Sequence, residues 1–119
     1  MRFDIISIFP KIFSSYLQES ILRRAKEKNL IKIGIHNLRD FTDDKHRKVD
    51  DTPYGGGAGM VFMAEPIIRA VDKIRRDKGS RGFSKKTKLV LLSAKGKLFN
   101  QKIAHNWAKK YNHLIFISG

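Results

Sequence analysis

The residues best suited to chemistry lie in one polar stretch of the chain, residues 46–60. It combines imidazole, guanidinium and carboxylate groups (His46, Arg47, Asp50 and Asp51) and ends in a cluster with four glycines among five residues. Ordering so many glycines costs backbone entropy, and their bare N–H groups let a ligand approach closely. Arginine can bind phosphate oxygens and aspartate can accept from base N–H groups. A solvated ion-pair cluster beside a flexible linker would show the same spacing.

The common nucleotide-binding motifs do not account for this glycine cluster. No Gly-Lys-Ser/Thr follows it, and Phe62 stands where a dinucleotide fingerprint needs a third glycine. A metal at His46 is not expected, because no second His or Cys is nearby. A Ser–His–Asp triad, an HExxH motif or a glycosidase carboxylate pair cannot be assembled from the sequence.

Two further stretches are candidates for binding. Residues 93–97 (SAKGK) follow an apolar strand, at the position where cofactors bind in α/β sheets, although a plain strand-to-helix turn fits equally well. Residues 73–88 hold eight basic side chains against Asp77 alone. That stretch is either a patch for a nucleic-acid backbone or an exposed helix face.

The charge of the chain favours a polyanionic partner. The 119 residues carry a formal charge of +14, and the excess is one-sided, +3 over residues 1–60 and +11 over residues 61–119. Such asymmetry is typical of nucleic-acid binding, while a lysine-rich surface kept for solubility is the alternative.

Composition also excludes several classes of protein. There is no cysteine, so disulfide frameworks, thiolate zinc sites and cysteine nucleophiles are excluded. No apolar run approaches the roughly 18 residues of a membrane span, and the N-terminus lacks a signal-peptide cleavage site. The length predicts one domain, and a cytoplasmic location without membrane association is expected.

Strands and helices alternate along the chain, which predicts an α/β fold with a mainly parallel sheet flanked by helices. The predicted strands are residues 2–9, 31–36, 89–92 and 114–117, and the predicted helices are 10–17, 21–28, 66–78 and 100–110. Ser20 is predicted to cap the second helix. Inward positions on the last helix are Ile103, Ala104, Trp107 and Ala108. Residues 38–59 form a long loop, which is usually functional inside a compact domain.

Three motifs together resemble one family. They are RDFT at 39–42, HRKVDD at 46–51 and PYGGGAGM at 53–60, supported by IISIFP at 5–10, LLS at 91–93 and IFISG at 115–119. The chain resembles bacterial tRNA (guanine-N1)-methyltransferase of the TrmD type, in the SPOUT class of knotted methyltransferases. The resemblance covers the whole chain.

The resemblance implies a fold, a reaction and partners. Residues 1–119 would be the N-terminal part of a Rossmann-like SPOUT methyltransferase domain, ending before its trefoil knot is complete and lacking the C-terminal tRNA-binding domain. The implied reaction transfers a methyl group from S-adenosyl-L-methionine to N1 of the guanosine 3′ of the anticodon in tRNA. The family acts as a homodimer, and magnesium is a candidate second cofactor.

The resemblance also implies site residues. Those matching the cofactor pocket are Leu92, Ser93, Ala94 and Gly119, and those matching the substrate loop are His46, Arg47, Asp50, Tyr54, Gly55 and Gly59. The family commonly has proline where this chain has Ala94. Its catalytic Asp and Arg match no position here, so no residue is named catalytic and the segment alone is expected to be inactive. The alternatives are a non-catalytic basic RNA-binding module of α/β fold and a generic α/β nucleotide binder.

Overall fold

The computed structural model describes residues 1–43, 45–51, 61–76 and 86–118 of the chain. In chain order its elements are β1 (Arg2–Ser7), α1 (Lys11–Leu17), α2 (Ser20–Glu27), β2 (Lys32–Asn37), a 3-10 helix (Leu38–Phe41), β3 (Asp50–Asp51), β4 (Val61–Phe62), α3 (Ala64–Arg76), β5 (Thr87–Leu91), α4 (Gln101–Lys110) and β6 (His113–Ser118). Strands alternate with helices, as the sequence predicts.

A four-stranded sheet in the order β2-β1-β6-β5 carries the fold, and all three of its strand pairs are parallel. Its inner strands are the apolar runs around Ile6 and Ile115, because a central parallel strand is covered on both faces. The α/β class and the parallel sheet are therefore confirmed. A separate antiparallel pair, β3 with β4, lies outside this sheet.

The best-buried core lies between the sheet and α3. Alternate residues of a strand share a face, and one face of β1 and β6 presents Ile6, Ile115 and Ile117. Helix α3 covers them with its buried residues Ala70, Val71 and Ile74, at the spacing of one helical face. Leu38 and Val49 complete this cluster and are fully buried. Each buried isoleucine contributes about 1.5–3 kcal/mol relative to exposure.

The opposite face of the sheet packs aromatic rings. Phe3 and Phe116 stack with 6.5 Å between ring centroids. Lys88 extends its ammonium group over the rings of Trp107 and Tyr111, at 5.1 and 5.4 Å from the centroids, and so links β5 to α4. Helix α4 begins after Asn100, whose Oδ1 accepts a hydrogen bond from the backbone N–H of Ile103 at 2.9 Å.

Several local predictions need correction. The residue capping α2 is Glu19 rather than Ser20, and its side chain makes no capping hydrogen bond. Ala108 is exposed, since α4 turns only Ile103, Ala104 and Trp107 partly inward. β1 ends at Ser7, where the side-chain Oγ accepts from the N–H of Phe9 and bends the chain out of the sheet.

Other differences concern element ends and the long loop. Helix α3 starts at Ala64, so Pro66 lies within its first turn, where proline is tolerated because no helical partner is needed for its nitrogen. The stretch predicted as a loop, 38–59, contains the 3-10 helix and β3, and it sends Val49 into the core. The predicted loop at 79–86 lies outside the described residues except for Lys86.

Candidate functional site

The predicted cofactor residues lie at the carboxyl end of β5, beside the end of β6. The N–H of Leu92 donates to the carbonyl of Ile117 at 3.0 Å, which continues the pairing of the two strands. A turn follows, in which Ser93 Oγ accepts from the N–H of Lys95 and the Ser93 carbonyl accepts from the N–H of Gly96. Leu92 is 51% exposed, and Ser93 and Ala94 are exposed too. This edge therefore offers one apolar side chain and an accessible turn.

Gly119 belongs to the same predicted set and lies outside the described residues. Its predecessor Ser118 is the last residue of β6, next to the strand end from which Leu92 emerges. The fold therefore brings the chain leading to Gly119 to the edge that carries Leu92, Ser93 and Ala94.

The predicted substrate residues follow the carboxyl end of β2. The side chain of Asn37 accepts from the N–H of Arg39 at 3.0 Å and starts the 3-10 helix. Its first residue, Leu38, is fully buried, and the segment returns to the core at Val49. The segment is thus anchored at both ends.

Asp50 begins a short stem that holds the ends of the glycine stretch together. β3 and β4 pair antiparallel, with Asp50 opposite Phe62 and Asp51 opposite Val61. The N–H of Met63 donates to the carbonyl of Val49 at 2.7 Å and extends this pairing. Asp50 is partly buried. Three predicted substrate residues, Tyr54, Gly55 and Gly59, lie between the strands of the stem and outside the described residues.

His46 and Arg47 take different positions. His46 is exposed, whereas the Arg47 guanidinium turns back on the 3-10 helix. Arg47 Nε donates to the Arg39 carbonyl at 3.1 Å, and its terminal nitrogen contacts the carboxylate of Asp40. The resemblance implies that both residues are substrate contacts. In the structure, Arg47 is engaged within its own segment.

The two candidate sets, the predicted substrate residues and the predicted cofactor residues, follow strands at opposite borders of the sheet. β2 and β5 are the outer strands, with β1 and β6 between them, so their carboxyl ends are separated by three strand spacings, about 14 Å. Because the strands are parallel, both sets lie at the same edge of the sheet.

A cavity of about 210 Å³ lies beside the segment that connects the 3-10 helix to β3. Its walls include Phe41, Lys48, Met63 and Arg69. Arg69 forms ion pairs with Asp43 and Glu65, both at 2.5 Å, and the hydrogen bond that Arg69 donates to Asp43 raises the pKa of the arginine. These charges compensate one another, so the cavity presents little net charge.

Sequence reasoning missed a buried carboxylate at the amino half of the sheet. Asp4 is fully buried, and three cations or potential cations converge on it. Arg2 Nε lies 2.8 Å from one carboxylate oxygen, while His36 Nε2 and His113 Nε2 each lie 2.7 Å from a carboxylate oxygen. An ionised carboxylate only accepts, so both histidines donate through Nε2–H. The signal was an aspartate inside an apolar strand, since a buried charge needs partners.

The ionisation of Asp4 follows from these contacts. Burial on its own would raise the pKa of the carboxyl group, because it disfavours the charged form. The hydrogen bonds from His36 and His113, together with the charge of Arg2, outweigh burial and lower the pKa below its usual value. We call Asp4, Arg2, His36 and His113 the Asp4 network. It joins β1, β2 and β6, from Arg2 and His113 at the amino ends of their strands to His36, which directly precedes Asn37 at the carboxyl end of β2.

The described part of the chain has neither a cluster of metal ligands nor a membrane-spanning helix. Nowhere within it do three His, Cys, Asp or Glu side chains meet in a way that could hold a metal ion. None of its helices has the length and apolar character needed to span a bilayer.

A parallel sheet with its candidate residues beyond the carboxyl ends of the strands is the arrangement of α/β proteins that bind ligands at that edge. Comparison with known proteins narrows this class. The chain belongs to the family described as tRNA (Guanine-1)-methyltransferase TrmD, whose profile matches residues 1–119. The resemblance seen in the motifs is thereby confirmed.

The chain is also similar to individual proteins named tRNA (guanine-N(1)-)-methyltransferase. The chain is 50% identical to a tRNA (guanine-N(1)-)-methyltransferase of Dictyoglomus turgidum over 119 residues, which is 100% of this chain and 45% of the relative. It is 51% identical to the protein of the same name from Thermomicrobium roseum over 108 residues, 91% of this chain and 38% of the relative. The chain thus spans less than half the length of these relatives.

A solved structure shares the fold. The crystal structure of tRNA (m1G37) methyltransferase from Aquifex aeolicus superposes with a TM-score of 0.81 at 32% identity, covering 98% of this chain and 50% of that one. The parallel α/β fold predicted from the sequence is therefore that of a TrmD protein.

Proposed function

We propose that the chain is the N-terminal part of a SPOUT methyltransferase domain in a tRNA (guanine-N1)-methyltransferase, which methylates N1 of the guanosine 3′ of the anticodon. Family membership over residues 1–119 is the observation that carries the proposal. In the intact protein, the rest of the knot and a C-terminal tRNA-binding domain would follow. The proposed methyl donor is S-adenosyl-L-methionine, whose sulfonium supplies an activated methyl group.

The residues at the carboxyl ends of β5 and β6 have the chemical character that binding of such a donor requires. Leu92 offers an apolar surface for an adenine ring, and the turn from Ser93 to Gly96 leaves backbone polar groups accessible. Gly119 and Ala94 are proposed to complete this pocket. Asp50, Tyr54, Gly55 and Gly59 are proposed to face the guanosine, with the Asp50 carboxylate accepting from N–H groups of the base.

Methylation of N1 needs more than these residues provide. N1 of guanine carries a proton at neutral pH, so a general base must remove it and the site must stabilise the charge that develops. The family's catalytic Asp and Arg match no residue of this chain. We therefore expect residues 1–119 alone to be inactive.

A methyl-transfer assay tests the function. The substrate is a tRNA transcript with guanosine 3′ of the anticodon, and the control transcript carries adenosine there. The intact polypeptide bearing this sequence should methylate only the first, and residues 1–119 alone should methylate neither. Turnover by residues 1–119 alone would contradict the expectation that this segment lacks the catalytic groups. tRNA binding by the intact polypeptide without calorimetric binding of S-adenosyl-L-methionine would favour the non-catalytic RNA-binding module.

A positive face on α4 supports RNA as the partner. Residues 86–118 contain seven lysines and neither Asp nor Glu. Lys102 and Lys109 are exposed seven residues apart, with exposed His105 between them, so the three share one side of the helix. In the basic stretch 73–88, by contrast, Lys73 and Lys88 lie over aromatic rings, and residues 77–85 lie outside the described part. We propose that the α4 face contacts the tRNA backbone.

Neutralising this face should change the salt dependence of tRNA binding. In Lys102→Ala/Lys109→Ala, the negative slope of log K against log salt should become shallower by about 1.5, since each phosphate contact contributes roughly 0.7–0.9 to its magnitude. Fluorescence anisotropy with labelled tRNA between 50 and 200 mM salt, a range suited to such contacts, measures the slope. The matched control is Lys26→Ala/Lys28→Ala on the end of α2, beside Glu27. Equal slopes in wild type and the α4 variant would assign these lysines to solubility.

A homodimer is proposed together with this function. The two candidate sets start from opposite borders of the sheet, and a second copy can bring them together. Helices α1 and α2 also expose apolar side chains, Ile12, Tyr16 and Ile21, at 63%, 74% and 75%. Burial of such side chains stabilises association. Magnesium is proposed as a second cofactor with no protein ligand assigned to it, and the proposed location is the cytoplasm.

A further inference from the structure

Arg47 occupies an unusual backbone conformation. Its φ angle is 52°, in the left-handed region that side chains other than glycine, asparagine and aspartate rarely adopt. A residue held there costs free energy, and such residues persist where surrounding contacts determine them. In this chain the left-handed turn directs the Arg47 side chain back along the segment from which it came.

The contacts of Arg47 are reciprocal. Arg47 Nε donates to the carbonyl of Arg39 at 3.1 Å, while Arg39 donates through its guanidinium to the carbonyl of Arg47 at 3.2 Å. The Arg47 guanidinium also pairs with the carboxylate of Asp40. Arg39 and Asp40 of the 3-10 helix are thus joined to Arg47, which lies eight and seven positions further along the chain. We call this set, Arg39, Asp40 and Arg47, the arginine clamp.

The clamp lies between two buried residues, just before Asp50 in the chain. Leu38 immediately precedes it and Val49 follows two residues after it, and both are fully buried. Asp50 then starts the stem that leads to the glycine stretch. The clamp therefore closes the segment between two core anchors.

Exposure distinguishes a positioning role from a stabilising one. The side chains of Arg47 and Asp40 are 50% and 60% exposed, and ion pairs so accessible to water contribute little to global stability. A guanidinium that already donates to a carbonyl and a carboxylate has less capacity left for an RNA phosphate. The acidic partner beside it also makes the position less attractive to a phosphate.

We propose that Arg47 is a positioning residue, which orients Asp50 through the arginine clamp instead of contacting RNA directly. The proposal rests on the proposed methyl transfer for its functional readout. The clamp itself can be measured independently of that reaction.

The test combines Arg47→Ala, Arg47→Lys, Asp40→Ala and the double variant Asp40→Ala/Arg47→Ala in the intact polypeptide. Displacement of a substrate-facing group by about 1 Å can cost up to 100-fold in rate, so we expect kcat to fall by about 10- to 100-fold in Arg47→Ala. The kcat of Asp40→Ala should also fall. The double variant should lose no more than the worse single variant, because both residues act through one contact.

Two measurements separate positioning from RNA contact. The Kd for tRNA and its salt slope should stay within about twofold of wild type in every variant. Arg47→Lys should stay impaired, since an ammonium group keeps the charge but lacks the guanidinium fork. If Arg47→Ala weakens tRNA binding and lowers the salt slope while Asp40→Ala tightens binding, Arg47 is a phosphate contact and the proposal is overturned.

Hydrogen exchange and a matched control complete the experiment. Amides of residues 41–49 should exchange faster in Arg47→Ala and Asp40→Ala than in wild type, whether or not the protein methylates tRNA. Unchanged exchange overturns the clamp, and faster exchange with unchanged kcat overturns its role in the reaction. Failure of the wild type to methylate tRNA overturns the proposed function and the role built on it. The control is Arg23→Ala, which removes an exposed ion pair with Glu27 on α2 and should change nothing.

Discussion

Replacing Asp4 with asparagine should lower the free energy of unfolding by about 3 kcal/mol, a large share of the stability of a small domain. Asparagine keeps the size of the side chain but removes its charge and one of two strong acceptor oxygens. Arg2, His36 and His113 all donate to this carboxylate. Arg2 then loses its charge partner in a largely buried position, which is the costly way to disrupt a buried ion pair.

Urea unfolding followed by circular dichroism measures this loss. The matched control is Asp43→Asn, which changes another paired aspartate that is 78% exposed and should cost less than about 1 kcal/mol. The pH dependence supplies a second check. Because the pKa of Asp4 is lowered on folding, its contribution is fully present above the unfolded pKa of about 3.9 and is lost as the pH falls through the folded pKa. The stability difference between wild type and Asp4→Asn should therefore begin to shrink below about pH 4 and vanish once the pH lies below the folded pKa.

Adding one methyl group at Gly34 should disturb the same network from the neighbouring strand. Gly34 lies opposite Asp4 in the pairing of β1 with β2. A Cβ atom at this position would be 2.5 Å from Asp4 Oδ1 and 3.1 Å from His36 Nε2. Real Cβ atoms do not approach so closely, so the carboxylate must move and its hydrogen bonds must weaken. Gly34→Ala should cost about 2 kcal/mol, within the range for overpacking.

A double-mutant cycle identifies the cause of that loss. With Asp4→Ala in the background, the oxygen that Gly34→Ala would meet is gone, and the second substitution should cost less than about 1 kcal/mol. The two effects should therefore fail to add, with a coupling of at least about 1 kcal/mol. Strict additivity would mean that Gly34 is required for its backbone alone and that the close approach to Asp4 is not the reason.

The sequence alone predicts the parts of the fold that depend on local pattern. The apolar runs around Ile6, Leu89 and Ile115 predict parallel strands, and all three lie in the sheet. The apolar spacing of Val71 and Ile74 predicts the buried face of α3. These predictions succeed because period and composition are properties of neighbouring residues, which one segment displays by itself.

Features that depend on distant residues could not be predicted in the same way. Asp4 meets His36 and His113 across sequence separations of 32 and 109 residues, and only the parallel register aligns them. Val49 is a single apolar residue in a polar stretch, so no periodicity marks it as core. The motifs single out the candidate residues, but a motif does not show where a guanidinium points, so the turn of Arg47 back onto the 3-10 helix could not be predicted.

The short stem formed by β3 and β4 has a consequence for how such a domain can change. It places Asp51 opposite Val61, so the nine residues between them begin and end at one place in the fold. Loop closure entropy grows slowly with length, by about 0.6 kcal/mol for each doubling. Insertion, deletion or exchange within 52–60 should therefore leave the α3 core and the Asp4 network intact. The stem makes this segment an exchangeable unit, which can be varied in evolution or by design without rebuilding the sheet.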